Sequence, residues 1–236
     1  MANTTALEVF AGNSVHALMD ELLPQFERAS GHRVSIRYDP ATLMLERISN
    51  GETADLIIIN STAMDELARL GRVVPASRRD LARNGIGVAV LAGAPKPDID
   101  SVEAFKRALL AAKSIACTEA GASGIYFARL IERLGIAAEV RAKAKTRPGG
   151  LIGELVASGE AELAIQQIPE LMAVPGIDLV GPLPKDLQVI STVSASLFAG
   201  TRQPGAAQAL IGFLATPAAA NIFEARGFEV FPIRAA

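Results

Sequence analysis

"LEVFAGNSVHALMDELLPQFERASGHRVSIRY", residues 7–38, decides the fold. Leu7 to Gly12 is an apolar run with a β-branched centre, as a strand covered on both faces requires. From Val15 the period changes. Val15, Leu18, Met19, Leu22, Leu23 and Phe26 fall three and four apart, opposite Asp20, Glu21, Glu27 and Arg28, which is the stripe of an amphipathic helix. Gly31 stops that helix, and "VSIRY" starts a second strand. The order then repeats through "ATLMLERISNG" (helix), "DLIIIN" (strand) and "STAMDELARLG" (helix), with Ser61 expected as N-cap and Gly71 as the stop. Strand and helix in alternation predict a parallel sheet covered by helices.

"NGIGVAVLAGAPKPDIDS", residues 84–101, breaks this rhythm with a glycine- and valine-rich strand running into two prolines, the mark of a boundary. A second set follows: a helix at Val102 to Lys113, "SIACT" as strand, "GASGIYFARLIERLG" as helix, and "GGLIGELVASGEAELAIQQI" as helix then strand. "VISTVSASLFAG" (residues 189–200) is β-rich, and "PGAAQALIGFLATP" and "AAANIFEARG" return to helix. The expected architecture is two α/β lobes, each a mostly parallel sheet flanked by helices. Residues 1–83 plus 192–236 form the first and residues 84–191 the second. Two strands, near Gly85–Ala92 and Val189–Phe198, are expected to cross between them, with a ligand cleft between the lobes.

The bulk numbers exclude several functions. Net charge is −2 over 236 residues and tryptophan is absent, so there is neither a basic field nor a stacking platform for nucleic acid. No apolar stretch approaches the ~20 residues of a membrane span. Cys117 is the single cysteine and reads as a small buried hydrophobe within "SIACT". There is no GxxxxGK[ST] loop, HExxH, cysteine pair or GxSxG elbow. With only two histidines, no metal site and no cofactor is expected.

Five strand-to-helix junctions carry small polar residues: Gly12-Asn13-Ser14, Ala41-Thr42, Asn60-Ser61-Thr62, Gly121-Ala122-Ser123-Gly124 and Pro148-Gly149-Gly150. A helix start offers unpaired N–H groups and about half a positive charge, which suits an anion. Each such loop is also an ordinary helix cap. Five together favour ligand binding. Gln166 and Gln167 break an apolar strand at its end and point to opposite faces, so at most one of them faces the cleft, where its amide either donates to a ligand or caps a neighbouring loop. Arg147 is a candidate bidentate anchor for a carboxylate, and His16 lies close to the first loop. "SRRDLARNG", with Arg78, Arg79 and Arg83, reads as a solvated helix face.

The 7–38 stretch resembles the start of the periplasmic molybdate-binding-like solute-binding proteins, in which a strand ends in a serine-bearing loop before a helix. "ERISNGETADLIIINSTAMDELARLGRV", "GASGIYFARLIERLGI", "LVASGEAELAI" and "ALIGFLATPAAANIFEARGFE" are similar to later segments of that family, in the same order. The resemblance implies a type II periplasmic binding fold and a periplasmic, monomeric partner of an ABC importer's membrane permease, its leader removed. It implies a small bound anion, an oxyanion such as molybdate or tungstate, held by Asn13, Ser14, Thr42 and Ser61 from the first lobe. Ala122, Ser123 and the Gly150-Leu151 backbone are the second-lobe counterparts. Gln167 stands where the family carries a tyrosine, a departure that points to a small organic polycarboxylate instead. An aconitate isomerase-like branch is the alternative, interconverting cis and trans acids by an allylic proton shift. His16, Glu119 and Tyr126 are then the proton carriers and Arg147 an anchor.

Overall fold

The computed structural model describes residues 6–231. The outermost ends of the expected first lobe, residues 1–5 and 232–236, lie outside the described residues. The chain runs β1 (Leu7–Gly12), α1 (His16–Ser30), β2 (Val34–Asp39), α2 (Ala41–Ser49), β3 (Leu56–Asn60), α3 (Ser61–Arg69), β4 (Arg79–Asn84) and β5 (Ile86–Leu91). It continues through α4 (Val102–Ala111), β6 (Ile115–Thr118), α5 (Ala122–Arg133), α6 (Ala137–Arg141), β7 (Ala144–Arg147), α7 (Glu154–Ala157), β8 (Leu163–Gln167), α8 (Ile168–Met172) and β9 (Ile177–Pro182). The last elements are β10 (Ser191–Leu197), α9 (Pro204–Leu214), α10 (Pro217–Ala225) and β11 (Glu229–Val230). Two compact units result: Met1–Arg83 with Ser191–Ala236, and Asn84–Ile190.

The first unit holds a sheet in the order β11-β4-β10-β3-β1-β2. β1 is parallel to β2 and β3, whereas β10 runs antiparallel to β3 and β11 antiparallel to β4. Both faces are covered, which is why "LIIIN" is apolar throughout. Leu56 and Ile58 join the core under α1, α9 and α10, while Ile57 and Ile59 join Met44, Ile48, Met64 and Leu67 on the α2–α3 side. The second unit's sheet is β7-β6-β8-β5-β9, again mixed, with β5 antiparallel to both its neighbours. Its larger core packs Val88, Ile115 and Ile165 against Phe105, Phe127 and Leu130.

The chain passes from one unit to the other after Arg83 and returns after Ile190, in the stretches where the crossing strands were expected. β5 pairs wholly within the second sheet, and β10, from Ser191, pairs within the first. "SRRDLARNG" is not a helix but contains β4, whose Leu81, Ala82 and Asn84 are buried. Two of its three arginines are paired: Arg78 with Asp65 and Asp80, Arg83 with Glu229 on the neighbouring β11. Gly31 ends α1 at φ 73°, as its place after the apolar stripe predicted, and Cys117 is buried in β6.

Asp55 ties the two chain segments of the first unit together. Its carboxylate accepts from the Glu8 N–H (3.0 Å), the Thr201 hydroxyl (2.7 Å), the Arg202 N–H (3.2 Å) and Gln203 Nε2 (3.2 Å). Burial pushes its pKa up, but these bonds outweigh that and hold it below the ordinary value. Its contribution to stability is therefore complete above the ordinary carboxylate range and lost as pH falls through the lowered value. Asp55→Ala strands four donors and is expected to cost about 3 kcal/mol, lowering Tm by on the order of 10 °C. An unchanged melting curve at neutral pH would show that other groups take up these donors.

Candidate functional site

In the first unit β3, β1 and β2 are parallel neighbours, with Ala11 opposite Ile58 and Gly12 opposite Asp39, so their carboxyl ends share one edge of the sheet. Each strand turns at once into a helix. A short 3-10 turn, Asn13–Val15, leads into α1, Pro40 leads into α2, and Asn60 leads into α3. Asn13, Ser14, Thr42 and Ser61 are thus gathered at one edge with three helix starts. The N-cap of α3 is Asn60, not Ser61: Asn60 Oδ1 accepts from the Ala63 N–H at 2.9 Å. Asn60 has the extended backbone of an N-cap (φ −62°, ψ 150°) and Ser61 is already the first helical residue, so the cap falls one residue earlier than expected.

His16 heads α1 with its side chain half exposed, 3.7 Å from Asp20 and with its ring 4.0 Å from that of Tyr38. The Tyr38 hydroxyl is buried and has no hydrogen-bond partner among the described residues. Burial, and then the Asp20 charge, raise its pKa, so the phenol stays protonated. Tyr38 was absent from the sequence candidates. The signal for it was the alternation of Val34, Ile36 and Tyr38 toward the α1 core.

In the second unit β7, β6 and β8 are parallel neighbours, so Arg147, Thr118 and Gln167 end on one edge. Ile86, the first residue of antiparallel β5, lies opposite Gln167. Ala122 and Ser123 open α5, with Ser123 buried. Gly150, at φ 84°, needs the conformation that glycine tolerates. Gln166 is the loop-capping glutamine: its Nε2 donates to the Gly150 carbonyl (2.8 Å) and its Oε1 accepts from the Ile152 N–H (2.9 Å). Leu151 lies between these two contacts. Gln167 faces the other way and accepts from Asn84 Nδ2 at 2.7 Å.

The remaining candidates are more committed. Arg147 pairs with Glu154 at 2.9 Å. Exposed Glu119 accepts from the Thr146 hydroxyl at 2.6 Å. The Tyr126 hydroxyl donates to the Leu187 carbonyl at 2.6 Å, pinning α5 to the segment before β10. His16 is therefore the proton-carrier candidate with the most accessible ring. Glu170, on the turn after Gln167, is buried and its pKa is pushed up to about 8 by that burial, with the Gln167 N–H bond acting in the opposite direction. It sits three residues after the N-cap, where a carboxyl reaches back to the cap's own N–H. Among the described residues no group of three His, Cys, Asp or Glu is placed to hold a metal ion.

Two sheets whose strand ends open into helix starts are the frame of a known family, and the family model for bacterial extracellular solute-binding proteins matches residues 7–229. The chain belongs to that family. Among its relatives, the aconitate isomerase of a Pseudomonas species is 36% identical over 234 residues, covering 97% of this family member and 89% of the relative. The molybdate-binding protein ModA of Azotobacter vinelandii is 26% identical over 243 residues, covering 96% and 91%. The solved periplasmic molybdate-binding protein of Azotobacter vinelandii superposes with a TM-score of 0.78 at 19% identity, over 96% of this chain and 99% of that one. The sulfate-binding protein SubI of Mycobacterium tuberculosis gives a TM-score of 0.76 at 17% identity, over 97% and 88%. The type II periplasmic binding fold implied by the ordered segments along the chain is the fold observed.

Proposed function

We propose that this solute-binding protein captures a small organic polycarboxylate of the aconitate class through the strand-end donors of its units, as the periplasmic component of an ABC importer. The observation that carries the reading is the gathering of three helix starts with Asn13, Ser14, Thr42 and Ser61 on one edge of the first unit. Backbone N–H groups and hydroxyls there supply neutral donors, which bind an anion without a full counter-charge. Ser123, the Gly150-Leu151 backbone and Gln167 are the second unit's contribution. An amide at position 167 favours an organic acid, and the 36% identical relative named for aconitate points the same way. A thermal-shift panel tests this, with molybdate, tungstate and sulfate set against cis- and trans-aconitate and citrate. Tricarboxylates are expected to raise Tm by mass action. A shift with molybdate or tungstate alone would overturn the reading. Ser14→Ala combined with Ser123→Ala is expected to weaken binding about tenfold or more, the loss of two hydrogen bonds to an anion.

The same relative supports a second reading, in which the bound acid is isomerised. A base removes a methylene proton, the double bond moves one carbon along, and a proton returns at the far carbon. His16 is the side chain that carries this proton in our reading. Incubation with trans-aconitate and separation of the products decides between the readings. Turnover that disappears in His16→Gln while binding persists supports isomerisation. Binding without any product supports capture alone.

A further inference from the structure

We propose that Asn84 and Gln167 read a hydrogen on the ligand, so that the second unit receives a group that both donates and accepts, a hydroxyl or an undissociated carboxyl, and rejects a bare oxyanion. The inference rests on the polycarboxylate reading and narrows it. Each side-chain amide carries one carbonyl and one NH2. Asn84 Nδ2 and Gln167 Oε1 are bonded at 2.7 Å, which leaves the pair with the Asn84 carbonyl and the Gln167 NH2. Exchanging oxygen and nitrogen on both amides still leaves one carbonyl and one NH2, so the pair is mixed in either assignment; the assignment observed puts the carbonyl on Asn84.

The remaining carbonyl is what discriminates. Asn84 is 4% exposed, and its Oδ1 is buried with no hydrogen-bond partner among the described residues. An orphaned buried acceptor is costly and requires a donor. A fully ionised oxyanion has none and would set two electron-rich oxygens against each other. A hydroxyl or undissociated carboxyl donates to this oxygen and accepts from Gln167 Nε2 in return. Thr118 Oγ1, at the adjacent strand end, is likewise buried without a partner.

The Asn84 position is fixed from behind. Gln188 brackets Ile86, accepting from its N–H at 2.9 Å and donating to its carbonyl at 2.8 Å. The Ile168 N–H holds the Gly85 carbonyl at 3.0 Å. These bonds fix the backbone that follows Asn84, and the amide itself swings away from an anion only by breaking its bond to Gln167.

Citrate and tricarballylate form the test, because they differ only by a hydroxyl. Titration calorimetry on the full chain at about pH 8 and about pH 5 separates the two hydrogen sources, and Gln167→Met, which carries the same titratable groups, cancels the protein's own titration. If a hydroxyl is read, citrate binds about tenfold tighter than tricarballylate at both pH values. If an undissociated carboxyl is read, both acids bind at least that factor tighter at about pH 5 than at about pH 8, and Gln167→Met loses the gain. Gln167→Met is expected to bring the two acids within about twofold of each other; should that variant not fold, the wild-type comparison still decides. Equal affinities of the two acids, with no gain for either at about pH 5, would overturn the inference and leave polycarboxylate binding intact. If neither acid nor either aconitate binds, the function proposed above fails instead.

Discussion

Replacing Glu170 with glutamine stabilises the protein at about pH 9 and leaves it nearly unchanged at about pH 5. Glu170 is buried, and its pKa lies at about 8 instead of 4.5 because burial penalises the charged form. Below the ordinary value the carboxyl is protonated in the folded and unfolded chains alike, and it costs nothing. Between 4.5 and about 8 the unfolded chain ionises while the folded chain keeps its proton. The native state then binds more protons, so stability falls as pH rises. Above about 8 both states are ionised and the loss is complete, on the order of a few kcal/mol. Glutamine keeps the shape and an oxygen to accept the Gln167 N–H, and it cannot ionise. Denaturant melts of both proteins across this range should therefore diverge with increasing pH. Parallel curves would mean that Glu170 ionises without penalty, through water reaching it in the native state.

Why was this carboxyl not among the sequence candidates? "IPEL" gives no local sign that Glu170 is buried, because the residues that cover a five-residue helix come from β5, β8 and β9. The alternation of strands and helices was legible because it is local: Val15 to Phe26 can form one apolar stripe only on a helix, and "LIIIN" is covered on both faces. Partners far apart in sequence were not legible. The arginines of "SRRDLARNG" resemble a solvated helix face until Glu229 is brought alongside Arg83, 146 residues away. The two glutamines show the same limit. Strand alternation established that Gln166 and Gln167 diverge. Which one caps a loop and which meets Asn84 was decided by the Gly150–Ile152 loop and by the place of Asn84 at the end of β4. Tyr126 looked available because it follows a glycine-rich loop; its bond to Leu187 spans 61 residues.

Gly124→Ala is expected to be among the most damaging single-methyl changes in the chain. In sequence, "GASG" reads as a loop left small so that an anion can approach. The structure assigns its last glycine a different task. A Cβ at Gly124 would lie 1.8 Å from the Thr118 carbonyl oxygen and 2.6 Å from Thr118 Oγ1. Both sides of that contact are backbone, the end of β6 against the first turn of α5, so neither yields as a flexible side chain would. Separating them shifts α5 off β6 and moves Ser123, which precedes Gly124. Overpacking at a rigid contact of this kind is expected to cost about 3 kcal/mol or more, lowering Tm by about 6–12 °C for a chain of this size. Gly212→Ala is the matched control: in α9 its Cβ meets nothing within 4 Å, and removing backbone freedom there should stabilise by about 0.5–1 kcal/mol. If the two variants melt alike, the β6–α5 contact relaxes freely, and Ser123 is then held by the ligand instead of by the fold.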